Sequence, residues 1–209
     1  MDRHERWILD VAVEARTRLR ALVGPNVEAY FNRQHHGLGT GAVVEVLQGL
    51  LRQGAIGVFQ AGGEPVKDGE AALRDLLHDD HEGNPDAGSY YGLTSLGGAT
   101  WETFAHPKWS RYIGASFGTG PAEAEVICAD PDRLNGYVFS KYQTFHALPG
   151  TIRRDRVEPW PATYWKVLPL GYRMRYEYEP DEPIPEGCDS SYLTRAGAWH
   201  KEFNEWFTR

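Results

Sequence analysis

The sequence predicts an α+β protein, with a helical half over residues 1–107 and a small mixed, mainly antiparallel sheet with flanking helices over 108–209. Three observations carry this. Apolar residues recur at three- and four-residue spacings through much of the first half. Late in the second half Tyr172, Met174, Tyr176 and Tyr178 alternate with Arg173, Arg175, Glu177 and Glu179, the period of a half-exposed strand. Between them, Asp130-Pro131 is a strong helix start, with aspartate at the cap and proline at the first helical position.

Taken in order, Ile8, Val11, Ala15, Leu19 and Leu22 share one helical face, and Gly24-Pro25-Asn26 stops it. A short apolar piece at 27–31 leads to a polar, glycine-rich turn at 34–41. Val43, Val46, Leu47, Leu50 and Leu51 form the next helical stripe, capped by Gly54. Residues 55–60 read as a short strand. Asp68 caps a helix carrying Ala72, Leu73, Leu76 and Leu77, and 78–88 is a polar loop. Tyr90, Tyr91 and Leu93 are extended, and Thr94 caps a helix through Trp101 and Phe104 that ends before Pro107.

In the second half, 112–117 and 125–129 read as a hairpin. The helix after Asp130 carries Leu134, Tyr137, Val138, Tyr142 and Phe145 inward. Residues 153–158, 163–167 and 172–178 read as strands punctuated by prolines, and 179–187 as a surface excursion. A last helix places Tyr192, Ala196, Trp199, Phe203, Trp206 and Phe207 on one face, which must dock because such a row of exposed aromatics would aggregate.

Composition narrows the function. The 209 residues are 41% hydrophobic and 12% aromatic, which excludes low-complexity disorder. No apolar run reaches the roughly 20 residues of a membrane span. The first residues lead into an amphipathic segment, so no secretory signal and no membrane role are expected, and the protein is expected in the cytoplasm. Cys128 and Cys188 are far apart and outside any C-x-x-C spacing, against a zinc ribbon or a disulfide scaffold. With 29 acids against 22 Lys and Arg, the net charge of -7 argues against a dominant nucleic-acid role and favours a basic partner.

Two features of the first half belong together: Leu47-x-x-Leu50-Leu51-x-x-Gly54-x-Ile56, a helix running at once into an extended stretch, and Tyr91-x-Leu93-Thr94-x-x-Gly97. The second resembles the wing-and-following-helix signature of bacterial winged-helix proteins of the MarR and PadR sort, and the match covers about residues 27–106. The resemblance implies that the helix at 42–53 is the one that enters a DNA major groove. Its polar residues here are Glu45, Gln48, Arg52 and Gln53, however, and the implied wing carries Lys67 and Arg74 against Glu64, Asp68, Glu70, Asp75, Asp79, Asp80, Glu82 and Asp86. That charge makes DNA binding doubtful and leaves use as a protein-interaction unit.

Catalytic motifs are thin. His35-His36-Gly37-Leu38-Gly39-Thr40-Gly41 lacks the buried strand a dinucleotide loop needs before it. Ser95, Ser116 and Ser140 lack a nucleophile elbow, and His146 and His200 sit on helices with aromatic faces. His78-Asp79-Asp80-His81-Glu82 is rich in metal-capable groups, but neighbours on a loop rarely converge, so it reads as an acidic docking patch. The proline-framed aromatics of 159–172 serve either as core or as recognition anchors. The expectation is a non-enzymatic protein-binding module of the immunity or antitoxin kind. It engages a protein with a basic surface through Asp79, Asp80, Glu82, Trp160, Tyr164 and Trp165, with no cofactor and no metal. The alternatives are a winged-helix transcription regulator with a C-terminal sensing domain, or an enzyme with its site in the second half. The sequence leaves oligomeric state open.

Overall fold

The computed structural model describes residues 1–24, 27–31, 33–60, 62–75, 88–118, 122–140 and 145–179, together with 198, 203 and 205–207. The fold is α+β, and it divides into two compact units. The first comprises Met1–Phe104 with Thr163–Lys166, the second Ala105–Ala162 with Val167–Arg209. A linear division at residue 107 leaves Thr163–Lys166 in the second half; contacts assign it to the first.

In the first unit, α1 (Arg3–Val11) opens with a capping box: the Asp2 carboxylate accepts from the His4 and Glu5 amides, and Glu5 accepts from the Asp2 amide, each at 2.8 Å. The sequence predicts one helix through Leu22, and this is corrected: α1 stops at Val11. Its terminal carbonyls are taken by donors that are mostly distant in sequence. Tyr91 Oη donates to the Ile8 carbonyl (2.9 Å), Thr17 Oγ1 to Val11 (3.1 Å), Tyr164 Oη to Ala12 (2.7 Å) and Trp165 Nε1 to Val13 (2.9 Å). With those lone pairs engaged from outside, the chain turns away into β1 (Thr17–Arg18) and a 3-10 turn, Leu19–Leu22. Leu19 and Leu22 are still buried, which is why the helical spacing persists in sequence.

The short helix α2 (Val27–Phe31) precedes α3 (Thr40–Arg52), which buries Val43, Val44, Leu47 and Leu50. Gly54, at φ +70°, releases the chain into β2 (Ile56–Phe59). Then come α4 (Gly69–Asp75), capped by Asp68 on the Ala71 amide (2.9 Å), β3 (Tyr90–Leu93) and α5 (Ser95–Ala105). The sheet order is β1-β3-β2, antiparallel throughout, with Thr17 opposite Tyr91 and Ile56 opposite Leu93.

At the β3–α5 junction Thr94 Oγ1 accepts from the Gly97 amide (3.0 Å) and donates to the Gly54 carbonyl (2.6 Å). Gly97 is required there by contact: a methyl group on it would lie 1.8 Å from the Ala55 carbonyl oxygen.

The second unit is a four-stranded antiparallel sheet in the order β4-β5-β9-β6. β4 (Ile113–Phe117) and β5 (Glu123–Cys128) form the expected hairpin. α6 (Pro131–Val138) starts at Asp130, whose carboxylate accepts from the Asp132 and Arg133 amides. It ends at Val138, earlier than expected, with Phe139 at its C-cap, and Ala147 is bridged to Tyr178 beside the sheet. His146 is therefore not helical; it is exposed.

β6 (Arg153–Val157) is followed by β7 (Trp160–Pro161), β8 (Val167–Leu168) and β9 (Gly171–Glu177). Of the strand expected at 163–167 only Val167 is extended, in β8; residues 163–166 form a turn, closed by Thr163 N–H on the Lys166 carbonyl (3.2 Å) and Lys166 N–H on Thr163 Oγ1 (3.1 Å).

One sheet face packs Ala124, Val126, Cys128, Met174 and Tyr176 against Leu134 and Val138 of α6. Among the described residues expected on the last helix, Trp206 and Phe207 are buried, and Trp206 lies 4.6 Å from the Tyr112 ring and 4.9 Å from that of Trp109. Tyr192, Ala196 and Trp199 lie outside the described residues. No helix among the described residues is long and apolar enough to cross a membrane.

Candidate functional site

With Val43, Val44, Leu47 and Leu50 turned inward, α3 presents Gly41, Glu45 and Arg52 as exposed residues, with Gln48 half-buried. The cation is not at liberty. Arg52 Nε donates to Glu70 Oε1 at 2.8 Å, and Nη2 reaches Oε2 at 3.4 Å. That contact raises the arginine's pKa and lowers the carboxyl's, each from its ordinary value.

Next to the pair lies an open cleft of about 600 Å3. Leu51, Val58, Phe59 and Val66 give it an apolar lining, and Arg52, Lys67, Asp68 and Glu70 add charge. An apolar patch edged with charge is the anatomy of a protein interface.

Of the aromatic residues expected as anchors, Trp160 is buried and Tyr164 and Trp165 are half-buried. Trp160 is 2% exposed, and a methyl group on Gly171 would lie 2.7 Å from its ring; its expected role as a partner anchor is corrected to a core role. Tyr164 Oη donates to the Ala12 carbonyl and accepts from the Leu93 amide, and burial raises its hydroxyl pKa. The Trp165 ring packs where a Gly98 methyl group would be, 2.1 Å from its nearest atom, and edge-on to Trp101. Arg16 lies 4.1 Å from the Phe59 ring centroid and 5.5 Å from that of Tyr164. Tyr164 and Trp165 thus serve the interior of the first unit, and the second unit holds Trp160.

The acidic patch Asp79, Asp80 and Glu82, with His78 and His81, lies outside the described residues, as do Cys188 and His200. Among the described residues no three His, Cys, Asp or Glu side chains are grouped to hold a metal ion.

His36 is buried, with Nε2 2.7 Å from the Leu22 carbonyl and Nδ1 accepting from the Leu38 amide (3.0 Å). It is a neutral structural histidine: desolvation lowers its pKa. Cys128 is a buried thiol on the core face of β5, bonded to the Ser110 carbonyl, and burial raises its pKa.

One group of side chains lies outside the candidate residues of the sequence. On the second unit's other sheet face, Asp155 accepts from Nε and Nη2 of Arg173 (2.7 and 2.6 Å) and from Nη2 of Arg175 (3.0 Å), which holds its carboxyl below the usual range. Its neighbours on β6, Arg153, Arg154 and Arg156, are all exposed. The signal was there in Arg153-Arg154-Asp155-Arg156, three cations in an acidic chain, though only the sheet order puts them on an outer strand.

Comparison with protein-family models, with curated proteins and with solved structures gives no match to this chain.

Proposed function

We propose that the chain is a non-enzymatic protein-binding module. Its first unit, winged-helix-like, holds a basic partner against the outward side of α3 and the adjoining cleft, in the manner of an immunity or antitoxin-type protein. The succession α1, β1, α2, α3, β2, α4, β3 with the sheet order β1-β3-β2 supports the winged-helix reading, with α4 inserted between the two wing strands. The Arg52–Glu70 pair is the observation that carries the function.

A DNA-reading helix brings cations to phosphates and base edges. Here the described stretch that follows α3's outward face, residues 62–75, carries Glu64, Asp68, Glu70 and Asp75 against Lys67 and Arg74, and α3's own arginine is bonded to one of those acids. An acidic face beside an apolar cleft suits a cationic protein, steered by charge and seated by burial.

The test is a photo-cross-linking side chain at Gln48 in the full chain, irradiated in the native cell. The expected adduct is a protein with an excess of Lys and Arg. An adduct with DNA as the main product overturns the reading in favour of the regulator.

A further inference from the structure

The outer strand of the second unit, β6, offers an edge whose chemistry is independent of the reading above. Glu177 accepts on one side from the Leu148 amide (2.8 Å), and the Tyr178 amide donates on the other to the Ala122 carbonyl (2.8 Å). This fixes the hydrogen-bonding phase of β9. Its odd-numbered residues address β6, so Arg153, Asp155 and Val157 pair with Arg175, Arg173 and Gly171, and the main-chain N–H and C=O groups of Arg154 and Arg156 point away from the sheet. Among the described residues no strand lies beyond β6.

Side chains add chemistry to that edge. Arg154 and Arg156 project on one face, two residues apart, and Arg153 on the other. Asp155 is engaged by Arg173 and Arg175, and no carboxylate among the described residues lies within 4.0 Å of Arg153, Arg154 or Arg156. Arg154 lies 5.9 Å from the ring centroid of Phe139, which is 54% exposed, and Arg156 5.6 Å from that of Tyr172. Charges on an edge strand also guard against unwanted pairing. Any charge serves that end, and this chain has more acids than bases. Three cations gathered on one strand select for the sign of what approaches.

We propose that β6 is a strand-addition site for an extended acidic peptide segment of a partner protein, one with carboxylates at alternate positions. Such a segment adds as a fifth strand: its main chain bonds to Arg154 and Arg156, and its i and i+2 carboxylates meet their guanidinium groups. The alternation matters because only every second side chain of an added strand faces the same side as Arg154 and Arg156.

The probe is a labelled, end-capped heptapeptide with glutamate at every second position and threonine between, titrated into the full chain by fluorescence anisotropy. Saturable binding is expected, weakening as salt rises. Three controls are expected to bind far more weakly: the isomer with its glutamates contiguous, the peptide with a central proline, and the peptide with lysine for glutamate. R154Q/R156Q is expected to weaken binding about tenfold, the worth of two exposed ion pairs. R154E/R156E, with folding verified by circular dichroism, is expected to prefer the lysine peptide. No saturable binding, equal affinity for the contiguous or proline peptides, or indifference to both double variants overturns the proposal. Cross-linking at Gln48 is unaffected by either result, so the two readings fail separately.

Discussion

The Tyr164 hydroxyl donates to the Ala12 carbonyl at 2.7 Å, joining residues 152 positions apart in sequence at the place where α1 ends. The same oxygen accepts from the Leu93 amide, so one phenol satisfies a helix-terminal carbonyl and the last residue of β3. Tyr164→Phe keeps the ring and strands both groups. It is expected to destabilise the protein by about 1–3 kcal/mol, the cost of leaving partly buried polar groups unpaired. Urea denaturation checks this: the midpoint falls with an unchanged slope. An unchanged midpoint would remove Tyr164 from the account of where α1 stops.

Two glycines give opposite outcomes for the same substitution. A methyl group on Gly97 meets the Ala55 carbonyl oxygen at 1.8 Å, and backbone on both sides leaves little room to yield. Gly97→Ala is expected to cost about 3 kcal/mol or more. Gly49, inside α3, has no atom within 4 Å of its added methyl, so Gly49→Ala is expected to be neutral or to stabilise by up to about 1 kcal/mol. Thermal melts of the two variants, run side by side, measure the contrast.

His36 gives the protein a pH dependence. Its folded pKa is lowered, chiefly by desolvation with a smaller push from His35 and His4, and the Leu22 carbonyl opposes the shift. The neutral ring accepts from the Leu38 amide through Nδ1, a bond that protonation there breaks. The unfolded chain takes up that proton below about pH 6.5 and the folded one only at lower pH. The stabilisation from His36 is therefore complete above about pH 6.5 and is lost as pH falls toward the folded value. Urea midpoints between about pH 8 and 5 are expected to fall more steeply for the native chain than for His36→Asn.

Cys128 Sγ donates to the Ser110 carbonyl at 3.4 Å on a face with no solvent access, and its raised pKa keeps the thiol protonated. Iodoacetamide at about pH 8 is expected to leave Cys128 intact in the folded protein and to alkylate it rapidly in urea. Peptide mass spectrometry resolves that site from Cys188.

The sequence announced structure wherever the physics is local. Asp130-Pro131 starts α6, Thr94 caps α5, Gly54 ends α3, and the alternation of β9 sorts Met174 and Tyr176 inward from Arg175 and Glu177, all from neighbours within a few residues. It misled where the deciding partner is remote. The carbonyls that end α1 are claimed by Tyr91, Tyr164 and Trp165, and no window around Val11 contains them. The buried Leu19 and Leu22 of a 3-10 turn keep the spacing of a helix face.

The candidate site follows the same division. The poverty of cations on α3 was legible residue by residue, but the Arg52–Glu70 bond depends on α4 folding back beside α3. Proline-framed aromatics suit a surface anchor as well as a core, and burial decided for Trp160. The arginines of β6 gained meaning only once the sheet order put them on an outer strand.

Whether α3 meets a protein or a nucleic acid is decided by the affinity of the full chain for labelled duplex DNA. Anisotropy titrations at about 50 and 200 mM salt with duplexes of mixed sequence are expected to show no saturable binding at either. Saturable, sequence-selective binding that weakens by orders of magnitude between those two salt concentrations would overturn the protein-binding reading and make α3 a reader of DNA.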